Sequence, residues 1–116
     1  MTHRLFVYGS LKRGFAHHDQ LRGASLEGEM RTEAGYRLVR QGRYPALVEG
    51  GTTCVSGEVY RVSPELLERL DAFEGCPELY QRRRVTLADG SEAEAYLIGS
   101  ELGASFAEVE GGSWKN

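Results

Sequence analysis

One segment of this chain carries clean helical periodicity, and it lies between stretches that read as strands. Ser63 suits a helix N-cap, and Pro64 suits the first helical position, where a missing N–H costs nothing. Gly75 and Pro77 are predicted to stop the helix. Leu66, Leu67, Leu70 and Phe73 share one stripe at about 100° per residue, and that stripe is the predicted buried side. Glu65, Glu68, Arg69 and Ala72 lie opposite, toward water. Glu74 breaks the pattern. It falls four residues after Leu70 and seven after Leu67, so its carboxylate points with the leucines. A charge aimed at a core is expensive unless it is paired or protonated. Burial and the negative end of the helix dipole both raise a carboxyl pKa toward neutrality, which suits a group that takes and returns a proton. A frayed helix end would instead swing Glu74 into solvent.

Around the helix the chain reads mainly as short strands. His3 to Tyr8 is a first strand. Leu26 to Glu33 and Tyr36 to Arg40 are two more, separated by Ala34-Gly35. Tyr44 to Val48 is extended, with Tyr44 biased that way by Pro45. Val55 to Val62 alternates, with Tyr60 placed to face a cleft, and Gly57 inside it signals a bulge or the close approach of another backbone. Tyr80 to Leu87 and Glu92 to Ile98 flank an Asp89-Gly90 hairpin turn. Asp19 to Leu21 forms a short turn that tucks Leu21 under the first strand. The fold class is α+β: a small mixed β-barrel flanked by one or two helices. Regular βαβ alternation is missing, which argues against a Rossmann sheet. Residues 1–100 form one domain, and 101–116 a loosely packed or disordered tail in which Phe106, Val109 and Trp114 are the only anchors.

The loop closing the first strand, Gly9-Ser10-Leu11-Lys12-Arg13-Gly14, has the glycine spacing of a phosphate loop. Phe15 and Ala16 stand where such a loop needs Lys and Ser or Thr, so a nucleoside triphosphate is excluded. Successive N–H groups in such a turn still suit a carboxylate-sized anion. His17 and His18 are adjacent and point apart, with no third ligand spaced to join them in a metal site. A net charge of −3 over 116 residues gives no electrostatic reason to expect nucleic acid. No apolar run approaches membrane-span length and no signal-peptide core opens the chain, so the expected location is cytoplasmic, with Cys54 and Cys76 as free thiols. Cys76, beside Glu74, has no neighbouring histidine in sequence to activate it as a nucleophile.

Four motifs occur together and in order. They are Leu5 to Gly14 (LFVYGSLKRG), Tyr44 to Val48 (YPALV), Gly57 to Tyr60 (GEVY) and Leu70 to Arg82 (LDAFEGCPELYQR). Across residues 4 to 98 this set resembles the gamma-glutamylcyclotransferase-like family, and within it the gamma-glutamylamine cyclotransferase branch. The resemblance implies a mixed β-barrel whose YGSL loop lines a cavity opposite a catalytic glutamate. Carried onto this chain, the catalytic residue is Glu74. The substrate contacts are Tyr8, Gly9, Ser10 and Leu11, with Tyr80 as a cavity wall. It implies no metal and no organic cofactor, and a small gamma-glutamyl substrate as the partner. The implied reaction closes the glutamyl α-amine onto its own γ-carbonyl, giving 5-oxoproline and a free amine or amino acid. A protein of the same fold that binds a small metabolite without turning it over is the alternative. A third is an interaction domain that recruits a partner through its tail. The leaving amine and the oligomeric state are not legible from the residues.

Overall fold

The computed structural model describes residues 2–76 and 78–115, with the side chain of Gln41 outside that set. The helix stop assigned to Pro77 therefore lies outside the described residues. Eight strands of the described chain form one mixed sheet: β1 (His3–Val7), β2 (Ser25–Arg31), β3 (Tyr36–Gln41), β4 (Tyr44–Glu49), β5 (Ser56–Val62), β6 (Gln81–Thr86), β7 (Glu92–Leu97) and β8 (Ala107–Glu108). The path runs β2-β5-β1-β7-β4-β3-β8, and β6 pairs with β7. Helix α1 (Pro64–Phe73) follows β5, and a single turn, α2 (Ser100–Gly103), follows β7. The result is the small half-barrel with two helices that the strand pattern predicts.

β7 is the hinge of the topology. Its whole length pairs antiparallel with β6, from Thr86↔Glu92 to Gln81↔Leu97, across the Asp89-Gly90 turn. Its other edge is shared: β1 meets it in parallel at Leu5↔Glu94, and β4 meets it in parallel at Leu47↔Leu97. Side-chain alternation then builds two cores. Phe6, Leu47, Val59, Ala95 and Leu97 point to the barrel interior. Leu5, Val7, Val48, Tyr60, Val62 and Tyr96 point to the outside, where Leu66, Leu67 and Leu70 of α1 cover them. Burying each leucine is worth about 1.5–3 kcal/mol. The helix begins as expected: the Ser63 hydroxyl accepts from the Leu66 N–H at 3.1 Å, with Pro64 next. Leu21 is buried in the same layer, under β1. A Cβ on Gly57 would collide with the Val7 carbonyl, so the close backbone approach expected there is present.

Three expectations are corrected. Phe73 is 43% exposed, because the last turn of α1 overhangs an opening in the sheet rather than the sheet itself. Tyr60 does not face a cleft; it is buried in the layer against α1, and its hydroxyl donates to Glu58 Oε1 at 3.0 Å. Beyond residue 100, where a loosely packed or disordered tail is predicted, the described residues dock. β8 pairs with β3 through Val39↔Glu108 and Arg40↔Ala107, the Val109 N–H donates to Leu38 O at 2.7 Å, and the Trp114 ring is buried in the barrel core. Gly103 lies so near Val48, and Gly112 so near the Cys54 carbonyl, that neither place has room for a Cβ. A short apolar anchor buried in a preformed groove holds the chain even where local propensity is weak, which is why composition alone misreads this segment. Among the described residues, no helix is long and apolar enough to cross a membrane.

Candidate active site

Because β1 and β4 divide one edge of β7, a gap opens between them. Tyr8, one residue past β1, fills its floor. Its hydroxyl donates to Tyr96 O at 2.5 Å and accepts from the Leu47 N–H at 3.2 Å, replacing ladder bonds that the two separated strands cannot make. Burial, then the nearby Tyr80 and Glu74, hold this phenol well above its ordinary pKa, so it stays neutral. Gly9 follows, with Pro45 of β4 so close that a Cβ would sit 2.5 Å from Pro45 Cγ. The chain then turns, with the Lys12 N–H closing onto Gly9 O at 3.0 Å. Among the described residues, the N–H groups of Ser10 and Leu11 make no backbone hydrogen bond in this turn. They are donors available to an anion or a developing oxyanion.

Above the gap stands the end of α1. Glu74 is the C-cap, and its N–H closes onto Leu70 O at 2.9 Å, so the helix does not fray before it. Burial raises the Glu74 carboxyl from its ordinary range to about 7. Among the described residues, no cation pairs with it, since the ion pairs of this end of the molecule go to Asp71 and Glu94. Tyr80 completes the wall: its hydroxyl donates to Pro45 O at 3.0 Å, and burial followed by the Glu74 and Tyr44 charges lifts its pKa to about 12. The cavity so enclosed has a volume of about 420 Å³, ample for an amino-acid amide. Glu74, Tyr8, Gly9, Ser10, Leu11 and Tyr80 all border it. The two tyrosine hydroxyls both donate to backbone carbonyls, so toward a ligand they offer lone pairs rather than protons.

Sequence reasoning missed His17, Phe73 and Leu79 in the rim. His17, weighed there only as a metal ligand, lines the cavity; its Nδ1 is 2.9 Å from Ser10 Oγ, and its ring stacks on Tyr44 and meets Phe73 edge-on at 5.3 Å between centroids. Tyr44, Phe73 and Leu79 are 50, 43 and 52% exposed, and all three border the same opening. Nothing in the linear spacing announces this, because three separate segments contribute. Asp71 was missed too, although three residues before Glu74 it was in reach of a helical-face argument. It accepts from the Tyr96 hydroxyl at 2.7 Å and pairs with Arg82 at 3.1 Å, bracing the cavity's β7 wall. That bond and, more strongly, burial keep the Tyr96 phenol protonated. Burial also pushes the Cys76 thiol up, which weakens it as a nucleophile. Among the described residues, no cluster of three His, Cys, Asp or Glu is arranged to hold a metal.

The sequence model of the family described as gamma-glutamyl cyclotransferase, AIG2-like, matches residues 5–116. The chain belongs to that family. The match runs through the docked C-terminal segment, beyond the 4 to 98 over which the motifs carry the resemblance. Among AIG2-like relatives, a candidate gamma-glutamylcyclotransferase of Vibrio cholerae is 36% identical over 98% of this chain and 96% of its own length. The gamma-glutamylaminecyclotransferase of Rattus norvegicus is 44% identical over 71% of this chain, which spans only 60% of that relative. The crystal structure of an AIG2-like protein of Mus musculus superposes with a TM-score of 0.85 at 28% identity, covering 98% of this chain and 88% of that one.

Proposed function

We propose that the cavity folds a gamma-glutamyl amide so that its α-amine attacks its own γ-carbonyl, and that Glu74 moves the proton. The attack forms the bond from the α-nitrogen to the γ-carbon and closes a five-membered lactam. Collapse of the tetrahedral centre breaks the γ-carbon–nitrogen bond, leaving 5-oxoproline and a free amine. The substrate enters with an ammonium group, so one proton must leave the attacking nitrogen and one must reach the departing nitrogen. A lone carboxyl with a pKa near 7 performs both transfers in turn at neutral pH, when it is roughly half ionised. The reaction is intramolecular, so most of the remaining work is holding the chain folded, which a cavity of this size does by excluding extended conformers. The Ser10 and Leu11 N–H groups serve as donors to the α-carboxylate or to the oxyanion.

The observation that carries this reading is the Glu74 carboxyl, held by burial near 7 and paired with no cation among the described residues, on the same cavity as a turn whose Ser10 and Leu11 N–H groups make no backbone hydrogen bond. The names of the curated relatives support the same chemistry. The exposed Tyr44, Phe73 and Leu79 at the mouth favour a leaving amine with an apolar chain. Cytoplasmic placement is consistent with two free thiols. Glu74→Gln keeps the shape and removes the proton carrier. It is expected to retain the wild-type melting temperature or exceed it while losing about 10³-fold in 5-oxoproline release from gamma-glutamyl amides, including a gamma-glutamyl-lysine isopeptide. Undiminished turnover in this variant would end the assignment, and ligand stabilisation of the wild type without product would identify a binding protein instead.

A further inference from the structure

Lys12 follows the cavity-lining residues Gly9, Ser10 and Leu11 in the same loop, and it does not itself line the cavity. It is 9% exposed, and its Nζ donates to the carbonyl of Trp114, 102 residues later, at 2.9 Å. The same ammonium lies 4.5 Å from the centre of the Phe15 ring. Burying an ammonium is costly: burial lowers its pKa, although the Glu58 and Glu29 carboxylates act the other way, so an ammonium here is an expensive way to fill space. A methionine would fill it more cheaply. What an ammonium adds is direction: it fixes one backbone carbonyl relative to one loop. The Trp114 end is itself held from the other side, since its ring is buried in the barrel core with the Arg40 guanidinium 4.5 Å from the ring centre. Beyond β8, which extends the sheet along the edge of β3, the chain presses Gly112 onto Cys54. The C-terminal segment is therefore a strap that begins as an edge strand, and its end is fastened to the loop that lines the cavity.

Among the described residues, the loop is also anchored by the Arg13 N–H, which donates to Glu58 Oε1 at 2.8 Å, and nearer in sequence the Ser10 and Leu11 carbonyls are met by the His17 N–H and by His18 Nδ1, each at 2.9 Å. The Lys12 and Arg13 bonds restrain residues 12 and 13 from outside, while Ser10 and Leu11 line the cavity and, among the described residues, their N–H groups make no backbone hydrogen bond. A turn with unsatisfied N–H groups gains by collapsing onto other acceptors, and restraint at its ends opposes that. We propose that Lys12 is a positioning residue for the cyclotransfer reaction, which holds the Ser10–Leu11 turn open by tying it to the strap at Trp114. The role rests on the function proposed above, and it concerns a contact outside the cavity that touches no substrate atom.

The test uses the whole 116-residue chain and the variants Lys12→Met and Arg40→Ala, the second of which loosens the strap from an exposed position. Two readouts are taken: steady-state kinetics on a gamma-glutamyl amide across pH, and amide hydrogen exchange. Lys12→Met is expected to lose about tenfold in kcat/KM with the pH midpoint unmoved, because Glu74 keeps its surroundings. Exchange should rise about tenfold in both 9–14 and 107–115. Arg40→Ala should show the same pairing at about threefold, and the double variant should be no worse than Lys12→Met alone, since Arg40 reaches the loop only through the tie between Lys12 and Trp114. Wild-type kinetics or unchanged exchange at 9–14 in Lys12→Met overturns the proposal. If Lys12→Met does not fold, Arg40→Ala decides: faster exchange at 107–115 without any change at 9–14 overturns it equally. A wild type that forms no lactam refutes the proposed reaction, while the exchange data still judge the strap.

Discussion

At the scale of the residue, the site depends on the cost of one charge. Glu74 is lifted to about 7 by burial, and no cation among the described residues offsets that. The free enzyme must take a proton first, so kcat/KM is expected to rise with pH through about 7. A profile whose acid limb falls near the ordinary carboxyl value, about 4.3, would show that another group carries the proton. The same shift has a stability consequence. A carboxyl whose folded pKa is raised binds its proton more tightly in the folded state, so its full contribution to stability is present below about 4.5 and is lost as pH rises through about 7. Glu74→Gln avoids that loss. Urea denaturation should find the two proteins equal at pH 4.5 and the variant more stable at pH 8, by up to about 3 kcal/mol. Equal stability at pH 8 would mean the carboxylate is better solvated than its surroundings indicate.

At the scale of the element, the cavity is a consequence of two strands meeting one edge of β7. Tyr8 repairs the place where they part, and Tyr8→Phe leaves the Leu47 N–H and the Tyr96 carbonyl without that partner. The expected cost is about 1–3 kcal/mol in urea denaturation, from buried polar groups left unpaired. A cost indistinguishable from zero would mean that β4 and β7 close without it. The helix is legible in the residues alone, because Ser63, Pro64 and three leucines each carry a local, physical instruction. Its inward glutamate is legible for the same reason. The surroundings of Phe73 are not. Periodicity gives the direction a side chain takes from its helix, but the thing waiting in that direction belongs to another part of the chain. Here it is the ring of His17 instead of a core.

At the scale of the whole molecule, the C-terminal segment changes from an appendage to a structural member. Deleting residues 101–116 removes α2, β8 and the buried Trp114 together. Losing a buried tryptophan alone costs about 3–5 kcal/mol, and in a domain of this size that is a large part of the total stability. The truncated chain is expected to melt at least about 10 °C lower or to accumulate insoluble; a melting point within a few degrees of the full chain would return the segment to the status of a loose tail. The sequence by itself determined whatever depends on neighbours along the chain: the capped helix, the alternating strands, the Asp89-Gly90 hairpin, the inward direction of Glu74 and the glycine-bounded turn after β1. Tertiary structure alone decided what depends on partners far apart in sequence. It set the parallel contacts of β1 and β4 on β7, gathered the rim from His17, Tyr44, Phe73 and Leu79, and joined Lys12 to Trp114. Local geometry is fixed by covalent and short-range forces that composition and spacing report. A cavity or a strap forms only where distant surfaces bury one another, and no window of consecutive residues records which surfaces those are.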